Sequence, residues 1–268
     1  MTDQTDGGGG GPGAPDRRRL YRETLAALAA AGFALLMANA FAAKLATLGL
    51  VAALISLAIY ATVGFIVVSR ILAFHPHGAF GWPNTVTLVR TGLAALIAGY
   101  TAEISLWTLA PSDGLAFVFA VLAGFAVALD GIDGWLARRI GPRSAFGARF
   151  DMESDALLIL ILSVLALVLS KAGIWVLAIG AMRYLFVGAS FLWPWMERPL
   201  PASGRRKAIC VAQGILLTIL AMPVVTGLPA SSIAALALAL ITWSFGADLW
   251  WLYRHRKDGS FSGGTASA

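Results

Sequence analysis

Four aspartates stand close together near the middle of the chain, within or beside apolar stretches. Asp130 and Asp133 are three residues apart. Asp151 and Asp155 are four residues apart. Either spacing puts both members of a pair on one face of a helix. The connection between the pairs is short and contains a glycine-proline step, so we expect two antiparallel neighbouring helices whose carboxylates meet at one end.

Four carboxylates in a partly dehydrated place repel one another and need a compensating cation. Hard oxygen ligands suit Mg²⁺, Mn²⁺ or Ca²⁺ rather than Zn²⁺, and the segment has neither cysteine nor histidine. Small residues on the same faces leave room for a ligand, and the next arginine, Arg138, has a fork of donors suited to phosphate. These features predict a diphosphate site. The alternative is that the acids form salt bridges with Arg138, Arg139, Arg143 and Arg149.

The composition places these acids in a membrane protein. Of the 268 residues, 59% are hydrophobic and only 13% charged, and the mean hydropathy is +0.79. A soluble domain would need far more charged surface. The apolar runs are each close to the ~20 residues that cross a bilayer, and without alternating β patterns they must be helices. The predicted fold is all-α and polytopic, with about eight transmembrane helices near residues 24–42, 45–69, 85–108, 115–137, 147–170, 174–196, 208–226 and 231–253.

The basic residues predict the orientation in the membrane. Sixteen lysines and arginines fall on one side of this arrangement, against Lys44 and Lys171 on the other. The positive-inside rule therefore puts both termini and the acidic cluster in the cytoplasm. The net charge of +6 is then a topology signal near anionic lipid, and no nucleic-acid partner is expected. The basic start and apolar run that ends at Ala38-Asn39-Ala40 also resemble a signal peptide, which is an alternative interpretation of the first span.

The residues around the acids resemble the CDP-alcohol phosphotransferase family. The family motif is D-x2-D-G-x2-A-R-x8-G-x3-D-x3-D, with eight fixed residues across 26 positions. The chain matches it at Asp130, Asp133, Gly134, Ala137, Arg138, Gly147, Asp151 and Asp155. The run PNTVTLVR at residues 83–90 is similar to the opening of the family's first core helix. The resemblance covers roughly residues 83–254 and implies a six-helix core preceded by two further helices.

Four segments are therefore expected along the chain. Residues 1–16 contain five consecutive glycines and no hydrophobic pattern, so they are predicted to be disordered. Residues 17–82 hold two N-terminal transmembrane helices and a linker, and residues 83–254 form the phosphotransferase membrane domain. Residues 255–268 are predicted to be a disordered tail. The first two helices could shield the lipid entry side, regulate access or only set topology.

The resemblance implies a membrane enzyme of phospholipid synthesis. It would move a phosphatidyl-type group from a CDP-linked lipid, usually CDP-diacylglycerol, to an alcohol and release CMP. A bacterial cell membrane is the expected location, and a homodimer is the expected assembly. Two classes remain as alternatives: a catalytically silent membrane scaffold, and a transporter whose aspartates bind a translocated cation.

The resemblance also implies a role for each motif residue. By analogy, two divalent ions, Mg²⁺ or Mn²⁺, are held by Asp130, Asp133, Asp151 and Asp155. Asp155 is either a shared ligand or the base that takes the acceptor's proton. The residues expected along the cytidine diphosphate are Gly134, Ala137, Arg138 and Gly147.

Four residues outside the motif are further candidates. Asn84 and Arg90 begin the third span, where the resemblance favours contact with the nucleotide; helix capping and snorkelling are the alternative. Arg183, in the sixth span, either faces the cavity and binds an anionic acceptor or pairs with Asp248 or another buried acid. Lys207 opens the seventh span as a phosphate contact or a topology anchor. Arg183 and Lys207 favour a phosphorylated acceptor. The same motif serves glycerol 3-phosphate, inositol phosphate and serine, so the sequence does not identify the alcohol.

Overall fold

The computed structural model describes residues 17–46, 49–74, 80–107, 112–137, 144–201 and 203–256, and no strand occurs among them. Residues 1–16 and 257–268 lie outside these residues. The predicted disordered tail began at residue 255, but His255 and Arg256 are described, as a turn that follows the last helix. Each predicted span corresponds to one helix, which confirms the all-α fold. The helices are α1 (Arg17–Ala46), α2 (Leu50–Phe74), α3 (Trp82–Trp107), α4 (Asp113–Ala137), α5 (Ala145–Val168), α6 (Leu177–Leu192), α7 (Gly204–Ala221) and α8 (Gly227–Arg254).

Six of these helices are long and apolar enough to cross a bilayer, namely α1 to α4, α6 and α8. The protein is therefore an integral membrane protein. The other two helices carry charged residues inside or beside their apolar runs. In α5 these are Arg149, Asp151, Glu153 and Asp155, and α7 begins with the basic run 205–207. The two helices that least resemble lipid-facing spans thus each carry a group of charged residues near their N-terminus.

Helix α3 lies at the centre of the bundle and packs against α1, α2, α4 and α5. Its apolar stretch is 67% buried, against 11% for that of α1. Glycines let neighbouring backbones approach closely. A Cβ atom on Gly99 would lie 2.2 Å from the carbonyl oxygen of Ala52 in α2, and one on Gly180 in α6 would lie 2.4 Å from Cα of Leu160. The positions of α2 and α6 against the core therefore depend on these two glycines.

Polar contacts attach the N-terminal helix pair to both ends of α3. At one end the Glu103 carboxylate accepts hydrogen bonds from the N–H groups of Gly49, at 3.1 Å, and Ala52, at 2.7 Å. These are unpaired donors at the start of α2, where the helix dipole also favours a negative charge. At the other end Glu23 of α1 accepts a hydrogen bond from the N–H of Phe80, just before α3, at 3.1 Å. The helix pair is thus attached at both ends of α3.

Candidate active site

Three helices bring their charged side chains together at one end of the bundle. Asp130 comes from α4, Asp151 and Asp155 come from α5, and Arg90 comes from α3. One oxygen atom of each carboxylate lies within 4.8 Å of those of the other two. In the described residues α4 and α5 make little direct contact, because α3 and α7 each pack against both. The acids therefore converge as the motif predicts, but around side chains from a third helix.

The Arg90 side chain is only 2% exposed and contacts all three carboxylates. Its Nη1 lies 3.3 Å from Oδ1 of Asp130 and 2.7 Å from Oδ1 of Asp151, and its Nη2 contacts Oδ1 of Asp155. Nε donates to the carbonyl oxygen of Ala126, at 3.2 Å. The guanidinium therefore contacts both α4 and α5. The salt bridges weighed from the sequence do form, but with Arg90 and not with Arg149; the other three arginines considered lie outside the described residues.

Asp155 has a second neighbour on its other oxygen. The Sγ of Cys210, on α7, lies 3.7 Å from Oδ2 of Asp155, a distance at which the thiol is a weak donor. The Asp155 side chain is 17% exposed, whereas that of Asp151 is 40% exposed. Asp155 is therefore the more enclosed of the two, and Asp151 lies nearer the opening of the site.

Part of the motif has no described side chains. Asp133, Gly134 and Ala137 belong to the last turns of α4, but their side-chain environments lie outside the described residues. Arg138 lies outside them altogether. The assignments of Asp133 to metal and of the other three to the nucleotide stay predictions.

The motif glycine of α5, Gly147, lies against the start of α3. A Cβ atom on Gly147 would lie 2.8 Å from Oδ1 of Asn84 and 3.1 Å from Oγ of Ser144. Ser144 caps α5 by accepting the Gly147 N–H, at 2.9 Å, and the side-chain amide of Asn84 donates to the carbonyl of Phe80. Gly147 therefore has a packing role in the structure. Its nucleotide contact, and that of Asn84, stay predictions.

The donor set suits a hard divalent cation. Three carboxylates converge from two helices, and a fourth, Asp133, follows one turn after Asp130 on α4. All of their donors are oxygen, which Mg²⁺ and Mn²⁺ prefer, and the single thiol nearby is Cys210. One arginine does not neutralise three carboxylates, so the cluster keeps an excess of negative charge. The residues present therefore fit a divalent ion.

The two predicted acceptor contacts, Arg183 and Lys207, form no described ion pair with the three clustered acids. Arg183 pairs with Glu153 of α5, whose side chain is 53% exposed. The alternative pairing of Arg183 with Asp248 is wrong, because Asp248 lies 2.5 Å from Arg205 and 3.3 Å from Arg206. Lys207 is exposed at the start of α7, and its charge acts on the Asp151 carboxylate. Only Lys207 thus has a described link to the acidic cluster.

Sequence reasoning missed two neighbours of the acids. It did not find Cys210 as a contact of Asp155, and it assigned Arg90 to the nucleotide. A signal for Arg90 existed: a span of low charge cannot bury an arginine without acids, and the nearest unpaired acids were those of the motif. For Cys210 there was no such signal, since a lone cysteine in an apolar run is usually a small packing residue.

A profile of the CDP-alcohol phosphatidyltransferase family matches residues 80–246, from just before α3 into α8. The fold and the site define a membrane-embedded transferase, and the chain belongs to this family. Family membership implies an enzyme that uses a CDP-alcohol as donor and an alcohol as acceptor. Searches of curated proteins and of solved structures found no match.

Proposed function

We propose that the protein transfers a phosphatidyl-type group from CDP-diacylglycerol to an alcohol and releases CMP, with Mg²⁺ or Mn²⁺ required. The observation that supports this most is the convergence of Asp130, Asp151 and Asp155 within 4.8 Å, inside a match to the family profile. Acidic side chains in a membrane bundle are costly unless they are paired or bind a ligand, and Arg90 balances only part of their charge. A substrate diphosphate with its divalent ions would give these carboxylates that partner.

The proposed reaction is a displacement at phosphorus. The acceptor hydroxyl oxygen forms a bond to the β-phosphorus of the donor, the bond from that phosphorus to the bridging oxygen breaks, and CMP leaves with that oxygen. Divalent ions bound by the four aspartates would neutralise the diphosphate and the charge that develops on CMP. Asp155 takes the acceptor's proton. Because Arg90 holds its Oδ1, we assign the proton to Oδ2.

The acceptor we favour is a phosphorylated alcohol. Lys207 is exposed and its charge acts on Asp151, and Arg183 lies on α6, which packs against α5. Both would attract a phosphate to the open side of the site. Arg183 would then exchange its Glu153 partner for the acceptor. Such a contact should appear as a higher KM for the acceptor in Lys207→Gln and Arg183→Gln, with little change for the CDP-linked donor.

We place the site on the cytoplasmic side of a bacterial cell membrane. Basic residues open α1 and α7 and end α8. Contacts of α1 with the start of α3, and of α7 with Asp155, support a location of these residues at the acidic end, which the positive-inside rule would make cytoplasmic. CDP and a polar alcohol would reach the acids from water there, while acyl chains stay in lipid.

CMP release by purified protein in lipid tests the proposal. The reaction contains CDP-diacylglycerol, Mg²⁺ or Mn²⁺, and one alcohol from a panel of glycerol 3-phosphate, inositol phosphate, serine, glycerol and inositol. We expect CMP to form with one phosphorylated member. Release with an unphosphorylated alcohol alone would contradict the acceptor assignment. No release with any member, from protein that binds Mn²⁺ and unfolds cooperatively, would contradict the enzymatic proposal and favour a scaffold.

A further inference from the structure

Arg90 contacts the same three carboxylates that we assign to metal. Its two terminal nitrogens reach Oδ1 of Asp130, Asp151 and Asp155, and it is 2% exposed. A divalent ion held by these acids would therefore lie close to a fixed positive charge. Two cations that share one set of ligands in a poorly hydrated place repel each other strongly.

The charge balance distinguishes this arginine from the other buried or half-buried arginines of the bundle. Arg183 has one carboxylate partner, and Arg205 and Arg206 share one, Asp248. Arg90 alone, among the described residues, has three. Three carboxylates around one arginine leave negative charge for a further cation to neutralise. The arginine is thus sufficient to hold the acids together but not to neutralise them.

We propose that Arg90 is a resident counter-ion of the metal site, a positioning residue that competes with the metal. In the metal-free protein it holds the carboxylates of α4 and α5 around one point. When a divalent ion binds, Arg90 loses part of its contact with at least one of the three acids. Its charge therefore lowers the affinity for metal while it stabilises the metal-free protein. This inference rests on the proposed function, because it requires the acids to bind metal.

Mn²⁺ binding tests the proposal without any turnover. The protein is purified in detergent, stripped with chelator and titrated with Mn²⁺, and free Mn²⁺ is measured by electron paramagnetic resonance. We expect Arg90→Gln to bind Mn²⁺ at least about tenfold more tightly than wild type. Arg90→Lys, which keeps the charge, should stay within about threefold of wild type. Arg149→Gln, an exposed arginine two residues before Asp151, is the matched control and should stay within about twofold.

Unfolding temperature gives the second readout. Arg90→Gln should unfold at a lower temperature than wild type in chelator, and excess Mn²⁺ should remove most of that difference. Equal or weaker Mn²⁺ binding by Arg90→Gln would overturn the inference. So would an Arg90→Gln protein that fails to fold even when it is made and purified with Mn²⁺, because metal could then not replace the arginine. If wild type binds no Mn²⁺, the metal site itself, and with it the proposed function, is contradicted.

Discussion

The two ends of the bundle bury charge in different ways. At the motif end, Arg90 lies among three carboxylates, and the cluster keeps excess negative charge. At the other end, the Glu103 carboxylate accepts two backbone N–H groups of α2. There also, Lys171 donates to the carbonyl oxygens of Met222, at 2.9 Å, and Val225, at 2.7 Å. Burial lowers the pKa of the Lys171 ammonium, and the negative charge of Asp113 opposes that shift.

This difference separates charges that stabilise the fold from charges that serve a ligand. Backbone dipoles are fixed by the helices, so Glu103 and Lys171 have partners whatever the protein binds. Carboxylates that surround one arginine can exchange that partner for a divalent ion, and three of them leave charge for it to neutralise. The comparison predicts that changes at the motif end alter metal binding and activity, whereas changes at the far end alter the stability of the fold.

Removal of divalent ions should give the largest effect. With chelator in excess, we expect CMP release to fall at least about a thousandfold, because the charge on the diphosphate and on departing CMP is then unneutralised. Added Mg²⁺ or Mn²⁺ should restore it. Activity that persists in chelator, in protein shown to be free of metal, would contradict the claim that the motif end serves a divalent ion.

Loss of the Glu103 carboxylate should act on stability. Glu103→Ala leaves the N–H groups of Gly49 and Ala52 without their acceptor, at a cost of about 2–4 kcal/mol. Thermal unfolding in detergent measures this loss. The Mn²⁺ affinity of the folded fraction should match that of wild type, and a shifted Mn²⁺ affinity would show that the two ends are coupled.

Alanine substitutions at two glycines of the core sharpen the contrast. Gly99→Ala forces a methyl group against the backbone of α2, so we expect a loss of about 1–3 kcal/mol in stability. Gly147→Ala meets the side-chain atoms of Asn84 and Ser144, which can move. Its loss of stability should be smaller, while its KM for the CDP-linked donor should rise. Equal unfolding temperatures for the two variants would contradict this assignment.

The contact between α1 and the start of α3 should give the smallest effect. Glu23→Gln keeps an oxygen acceptor for the Phe80 N–H but loses the charge, at a cost below about 1 kcal/mol. Because Phe80 also accepts from Asn84, we expect a rise of only a few-fold in the KM for the donor. Donor KM is measured from CMP release, and isothermal titration calorimetry with CDP checks binding by the folded variant. A loss of activity as large as that caused by chelation would mean that α1 belongs to the site.

The sequence was sufficient to predict the helices and the convergence of three motif acids, Asp130, Asp151 and Asp155. Long apolar runs and fixed spacings within one helix carry that information. Contacts between distant segments were harder to predict. Along the sequence, Arg90 is 65 residues from Asp155, and Glu103 is 51 residues from Ala52. The same limit applies to Arg183, whose partner is Glu153 and not Asp248, because the rotation of α6 depends on how closely Gly180 lets it approach α5. Such rotations are set by packing between helices and have no signature in one segment.

The most direct test compares two aspartates that undergo the same chemical change. CMP release is measured for wild type, Asp155→Asn and Asp113→Asn, in one lipid mixture with Mg²⁺ and the preferred acceptor. Asp113 is exposed at the far end of α4, so its variant should stay within about twofold of wild type. Asp155→Asn should lose at least about a thousandfold while its unfolding remains cooperative. If Asp155→Asn releases CMP as fast as Asp113→Asn does, the acidic cluster is not the active site.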